Sequence, residues 1–415
     1  MKAVVQIQYS TESGGRSALR LQRAFLKKGI PSTIISLQRD IHPVEGIVYL
    51  DKFSRYFANL YNRLQVWLTK NKNSKYALFS VLPFGINISK HDEIKKADII
   101  YLHWVQNGFL NAHQIGKIAS LNKPVIMVMH DMWSFSGGCH YSYDCNQYLS
   151  SCGNCPVFTS DRQKKFAVNE FKRKLKLYKK HNNIFFVSPS KWLYNCAKNS
   201  SLLKDKPVFY IPNIMERTVF KPVDKPEAKK ILNIPTHITV IAFGAISIDS
   251  YRKGGQYLNK ALKILETQID SSNILILMFG SDYNKTLAET IPFKIRFLGY
   301  LEDEYTTALA YNASDVFVVP SLADNQPTTV QESLACGTPV VGFNVGGIPD
   351  MIDHKQNGYL ATYKDENDLA NGIKFCLDNN IKGSMKPFFE MDETINKHLQ
   401  LFEQFKKIIP TPVHD

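Results

Sequence analysis

Apolar runs alternate with helical periodicities along almost the whole chain. Strand candidates fall at 3–7, 34–37, 46–50, 98–103, 124–130 and 184–188, and a second series at 208–211, 239–244, 273–280, 294–298, 315–319 and 339–343. Helical patterns lie between most of them, which argues for parallel sheets covered on both faces. Two such series predict an α/β protein of two doubly wound, Rossmann-like domains facing a cleft. A hinge is expected near Ile211-Pro212-Asn213, giving a first domain over 1–212 and a second over 213–392. The last helical stretch, beginning near 393 within the tail 393–415, is expected to return onto the first domain.

A chain of 415 residues is long enough for two separate cores, and 44% apolar with 12% aromatic residues suits a globular protein. No apolar run of about 18 residues occurs, so no membrane-spanning helix is expected. The strand at 3–7 has no apolar leader-like segment before it, and a cytoplasmic location is the expectation. The formal charge of +14 suits an anionic partner: nucleotide phosphates, lipid headgroups or nucleic acid. No helix-turn-helix, RNA-binding or finger pattern is found, so nucleic acid is not expected.

Two basic helices bear on the charge. Phe53, Tyr56, Phe57, Leu60, Tyr61, Leu64, Trp67 and Leu68 keep helical spacing, with Lys52, Arg55, Arg63 and Lys70 among them. Residues 162–181 hold nine Lys or Arg interspersed with Phe166, Phe171, Leu175 and Tyr178. Each alone fits a core-facing helix with a solvated basic side. Together, in the first predicted domain, they lead us to expect peripheral contact with the inner face of the plasma membrane.

The densest chemistry follows the strand at 315–319. Asp324 falls in the loop at that strand's carboxyl end, where open α/β sheets bind ligands. Pro327 suits a first helical position and leaves the amides of Thr328 and Thr329 free to meet an anion. Glu332 lies about one turn later. After the strand at 239–244, Tyr251-Arg252-Lys253-Gly254-Gly255 opens a helix. Adjacent cations there oppose the helix dipole unless an anion neutralises both; Arg252 can chelate a phosphate and Lys253 can add a point charge. Near the amino terminus, Ser13-Gly14-Gly15-Arg16-Ser17 follows the first strand, and glycine there lets backbone approach a ligand. His130 and His103 each close an apolar strand, a position from which a side chain can face the cleft.

Cys139, Cys145, Cys152 and Cys155 fall within seventeen residues, spaced C-x5-C-x6-C-x2-C. In a reducing cytoplasm such a cluster is more readily a structural zinc knuckle than two disulfides, with His140 as a possible extra ligand. Redox catalysis is not expected, because Pro156 follows the C-x-x-C.

The stretch PSLADNQPTTVQESLACGTPVVGFNVGGIPD (320–350) resembles the donor-site signature of retaining, nucleotide-sugar-dependent glycosyltransferases of the GT-B fold, the family 4-like group. HDMWSFSGGCHYSYDCNQYLSSCGNCP (130–156) is similar to a subgroup from bacterial capsule and exopolysaccharide assembly. The chain has Asp where the commoner pattern has Glu at the first acid, and Asn-Gln-Pro in place of Gly-Phe-Gly.

The resemblance implies a sugar transfer from a UDP-, GDP- or ADP-linked donor to a glycan or polyprenyl-linked acceptor. It implies that Glu332 holds the ribose, that Asp324 and His130 face the transferred sugar, and that Gly15 lies near the donor phosphates or acceptor. Lys253 and Arg252 would meet the diphosphate, Gly280 and Ser281 would lie near the donor, and Leu298 and Tyr300 would wrap the base. Stabilising the departing diphosphate would be the main catalytic effect. No cofactor is expected for the chemistry, since the cations do what a magnesium ion does elsewhere; the possible zinc is structural only. A nucleotide-sugar epimerase and a non-catalytic nucleotide-sugar or membrane-surface binder are the alternatives.

Overall fold

The computed structural model describes residues 2–12, 15–40, 44–70, 72–76, 78–81, 83–244, 250–280 and 289–408. The chain divides into two compact units, 1–214 with 391–415, and 215–390.

In the first unit, β1 (Val4–Gln8), β2 (Ser32–Ser36), β3 (Ile47–Tyr49), β4 (Ile99–Leu102), β5 (Val125–Val128), β6 (Ile184–Ser188) and β7 (Val208–Tyr210) form one sheet, ordered β3-β2-β1-β4-β5-β6-β7. Its strand pairs are parallel. β7 pairs with β6, so residues 208–210 close this sheet instead of opening the second series of strands.

The second unit holds β8 (Thr239–Gly244), β9 (Ile274–Phe279), β10 (Lys294–Phe297), β11 (Val316–Val319), β12 (Val340–Phe343) and β13 (Gly358–Ala361). They run in the order β10-β9-β8-β11-β12-β13, again as parallel pairs. β13 has no strand pattern in the sequence, because Asn357-Gly358 looks like a turn and only three strand residues follow it. In each sheet the direction of strand addition reverses once, between β1 and β4 and between β8 and β11. Such switch points open a crevice at the strands' carboxyl ends.

Both cores follow from apolar strand interiors. In the second unit Phe279, Tyr311 and Phe317 interlock, Phe279 stacking on Phe317 and Tyr311 meeting both edge-on. In the first unit, Val4, Phe25, Tyr101 and Phe185 pack with Ile395, Leu401, Phe402 and Phe405 from the final helix Met391–Ile408. The Tyr101 hydroxyl meets His398 Nδ1 at 3.0 Å within this layer. The final helix therefore belongs to the first unit's core although the second unit lies between them in sequence.

The two basic helices differ in what they bury. The helix Asp161–Lys180 turns Ala167, Phe171, Leu177 and Tyr178 inward, so it is a core-facing helix with a basic outer side. The helix Lys52–Leu68 buries only Ala58 and Gln65.

Phe402 is 4% exposed and stacks on Phe25 at 5.7 Å between ring centroids. Phe402→Ala is expected to destabilise the protein by about 3 to 5 kcal/mol, read as a lowered urea midpoint. A change within error of wild type would show that the final helix is not part of the first core.

Candidate functional site in the second unit

The cations and the first acid predicted from sequence meet. Strand β8 leads, through residues outside the described set, to a short turn at Tyr251–Lys253 and then the helix Gly255–Glu266. β11 leads through Pro320 to the loop carrying Asp324. Since β8 and β11 are neighbours, their carboxyl-end loops face each other at the switch point. Asp324 Oδ2 accepts from Lys253 Nζ at 2.7 Å and from Arg252 Nη1 at 2.8 Å. Arg252 Nη1 also donates to Ala323 O at 3.1 Å, and Leu322 N donates to Arg252 O at 2.7 Å. The two loops are thus tied through both side chain and backbone.

Two glycines permit the close approach. Gly254 has φ +67, and a Cβ there would lie 1.9 Å from Pro320 O. Gly346, at φ +60 in the loop after β12, would place a Cβ 2.0 Å from Asp324 O. Its neighbour Gly347 donates its amide to that same oxygen at 3.1 Å. A side chain at either position would push the Asp324 loop away from its partners.

The cation pair was expected to need an outside anion. The chain supplies one itself, because Asp324 is close enough to neutralise part of both charges. Burial alone would raise the Asp324 carboxyl, but Lys253 and Arg252 outweigh it and hold the group at about 2. Burial and the adjacent Arg252 lower Lys253, and Asp324 partly restores it. Among the described residues, one carboxylate, that of Asp324, faces the two cations.

Beside this cluster begins the helix Thr328–Ala335. Pro327 is its N-cap, one position earlier than expected, and makes no side-chain cap bond. Amides in the first turn of a helix have no intrahelical acceptor, so those of Thr328 and Thr329 add partial positive charge. Glu332 lies inside this helix, 5% exposed, and accepts from the Tyr311 hydroxyl at 3.2 Å. That tyrosine belongs to the aromatic core and carried no sequence signal of its own. At the ends of β9 and β10, Gly280 N donates to Gly299 O at 2.9 Å, Leu298 packs on the core and Tyr300 is 42% exposed. Ser281 lies outside the described residues.

In the first unit, Gly15 caps the helix Arg16–Lys27, and its own backbone lies against Ser10 O. His130 follows β5, half-buried, with Nε2 3.2 Å from His103 Nδ1; His103 Nε2 meets Gln6 at 2.8 Å. Burial lowers His130 to about 4, so its imidazole is neutral near pH 7.

A second polar chain was not foreseen. His140 Nδ1 meets Asp131 Oδ2 at 2.6 Å and its Nε2 meets Ser80 Oγ at 2.9 Å. Both ring nitrogens are engaged, so His140 is not the spare metal ligand expected. The clue was Asp131 directly after His130 at a strand end.

Cys139, Cys145, Cys152 and Cys155 line one small cavity with Tyr76 and Phe79, and all four are free thiols. Their donor chemistry suits zinc. However, among the described residues no three His, Cys, Asp or Glu side chains are grouped so that they could hold a metal ion. Burial, with the neighbouring thiols, pushes Cys152 up to about 12 and Cys155 up to about 11. Protonated thiols of this kind pack as small apolar groups.

The Asp324 cluster has a measurable pH signature. Its folded value, about 2, lies below the ordinary 3.8, so its stabilisation is complete above about pH 4 and is lost as pH falls toward 2. Asp324→Asn should therefore show a flatter loss of stability over that window, by on the order of 2 kcal/mol. Urea unfolding at stepped pH measures it, and equal slopes for both proteins would exclude the predicted linkage.

Residues 237–379 match the family model for glycosyl transferases group 1. Among curated proteins, an uncharacterized glycosyltransferase of Methanocaldococcus jannaschii is 34% identical over 137 residues, 31% of this chain and 34% of that one. A D-inositol 3-phosphate glycosyltransferase of Corynebacterium kroppenstedtii is 29% identical over 163 residues, 37% of this chain and 36% of that protein. An N-acetyl-alpha-D-glucosaminyl L-malate synthase of Bacillus anthracis is 26% identical over 188 residues, 44% and 47% of the two chains. The chain spans roughly a third of the length of the first curated relatives it matches.

Solved structures resemble it over nearly its whole length. Sucrose-phosphate synthase from Thermosynechococcus elongatus has a TM-score of 0.66 at 16% identity, covering 98% of this chain and 100% of that one. Anabaena HepE in complex with UDP-glucose has a TM-score of 0.63 at 15% identity, covering 97% and 100%. Likeness at this level of identity establishes architecture. The chain has the GT-B fold, two Rossmann-like domains, and residues 237–379 of its second unit match the family model for glycosyl transferases group 1.

Proposed function

We propose that this protein is a retaining glycosyltransferase. It would move a sugar from a nucleotide diphosphate sugar to a glycan or lipid-linked glycan in bacterial surface polysaccharide assembly, at the inner face of the plasma membrane. The observation that carries this reading is the meeting of Arg252, Lys253 and Asp324 at the switch point between β8 and β11, beside the start of the helix Thr328–Ala335. Two fixed cations next to first-turn amides suit a diphosphate, and preorganised donors of this kind stabilise charge that develops on a leaving group. The UDP-glucose bound in the HepE structure supports a nucleotide-sugar donor.

In this reading Lys253, Arg252 and the amides of Thr328 and Thr329 take the diphosphate. Glu332, oriented by Tyr311, takes the ribose hydroxyls, and Gly280, Leu298 and Tyr300 line the base. Asp324 keeps the two cations in place and orients the sugar. His130, as a neutral imidazole, is the first unit's candidate for hydrogen bonding to the transferred group. Retention and the polysaccharide pathway rest on the resemblance of 320–350 and 130–156 to that family.

A thermal-shift panel of UDP-, GDP- and ADP-sugars identifies the donor, because a ligand that binds only the folded state raises the midpoint. Lys253→Ala and Glu332→Ala should each weaken donor binding by about tenfold to a hundredfold, the range for one charge-assisted hydrogen bond. Asp324→Asn should lose transfer while weakening donor binding less than Lys253→Ala does, and transfer by the wild type should persist in chelator. A midpoint unmoved by every donor, or binding that both variants leave intact, would defeat the assignment.

A further inference from the structure

The helix Lys52–Leu68 presents its large apolar side chains to solvent. Phe53, Tyr56 and Trp67 are 66%, 64% and 62% exposed, and Phe57, Leu60 and Val66 are also exposed. Phe53, Phe57, Leu60 and Trp67 share one stripe at helical spacing, and the buried residues Ala58 and Gln65 lie well round from it. The usual arrangement of a surface helix is therefore inverted, since amphipathic helices normally turn the apolar stripe inward.

The helix is held from its other side. A Cβ at Gly108 would lie 2.2 Å from Ala58 O, so the loop at Gly108 presses directly on the helix backbone. The exposed rings form a continuous surface: Tyr56 meets Phe57, Phe57 meets Tyr61, and Tyr61 meets Phe84 of the following loop, at centroid distances of 5.6, 6.3 and 5.4 Å.

Charge selects what covers this surface. From Lys52 to His91 the chain carries seven Lys or Arg and no Asp or Glu. Lys52, Arg63 and Lys70 are exposed around the rings. Gln163 donates to Leu68 O at 3.0 Å, which sets the basic start of the helix Asp161–Lys180 at the aromatic helix's end. A second copy of the chain would bring like charges together. An anionic bilayer matches both features, with rings entering the headgroup boundary and cations facing lipid phosphates.

We propose that the Phe53, Phe57, Leu60 and Trp67 face of this helix is the surface by which the protein docks on anionic lipid. The inference deepens the membrane-side part of the proposed function and does not depend on the transfer chemistry. The test is co-sedimentation of the full chain with phosphatidylcholine vesicles containing about one-quarter phosphatidylglycerol, against phosphatidylcholine alone and at raised salt. Wild type should bind the anionic vesicles and lose binding as salt rises.

The combined variant Phe53→Ser, Phe57→Ser, Trp67→Ser should bind at least about tenfold more weakly, and Arg55→Ser with Arg63→Ser should reduce the preference for anionic lipid. Because these side chains make little core contact, the variant's thermal midpoint should match wild type. Its midpoint shift with the donor nucleotide should also be retained; loss of that shift in the wild type would count against the donor reading alone. Equal vesicle binding by variant and wild type overturns the proposal. So does the absence of vesicle binding alongside a concentration-dependent dimer that the variant abolishes, which would assign the face to a second copy.

Discussion

A buried carboxylate shared by two cations organises the second unit. Asp324 lies in the loop after β11, its partners in the loop after β8, and its backbone oxygen accepts from the loop after β12. Three loops that are far apart in sequence are thus fixed at the carboxyl edge of one sheet. A buried charge without partners would be strongly unfavourable, so the loops hold their positions or the carboxylate must protonate. Gly254 and Gly346 are consequences of that closeness, because a side chain at either place would separate backbones that now touch.

This arrangement also sets what the cluster can do. Asp324 neutralises part of the charge of both cations and fixes their orientation, so they are positioned before any ligand arrives. Preorganisation of this sort avoids the cost of reorienting dipoles during a reaction. Glu332 works differently. Its helix and the Tyr311 hydroxyl fix it, which links a polar contact directly to the aromatic core of Phe279 and Phe317.

The first unit has a contrasting economy of polar groups. Gln6, His103 and His130 form one chain, and Ser80, His140 and Asp131 form another, both ending at the residues that follow β5. Nearby, Lys174 is buried and donates to Trp133 O and Ser136 O at 2.5 and 3.1 Å, with its ammonium over the Trp133 ring. These bonds pin the segment that carries the four cysteines to the helix Asp161–Lys180. The segment is ordered by hydrogen bonds, and its four free thiols line one small cavity.

Much of the architecture was legible in the chain. Apolar runs flanked by helical periodicity gave twelve of the strands within a residue or two at each end, because burial on both faces demands continuous apolar sequence. β13 was not legible because the three strand residues after Asn357-Gly358 carry too little pattern to outweigh a turn signal. The acids Asp324 and Glu332, the cations Arg252 and Lys253 and the start at Pro327 were likewise visible, since local spacing and helix-end chemistry specify them. What the sequence could not determine was which charges would meet. Asp324 and Lys253 are 71 residues apart, and only the pairing of β8 with β11 brings them together. The same holds for the helix at Lys52–Leu68: periodicity defines its apolar stripe, but the direction that stripe faces depends on which side the rest of the fold offers a partner.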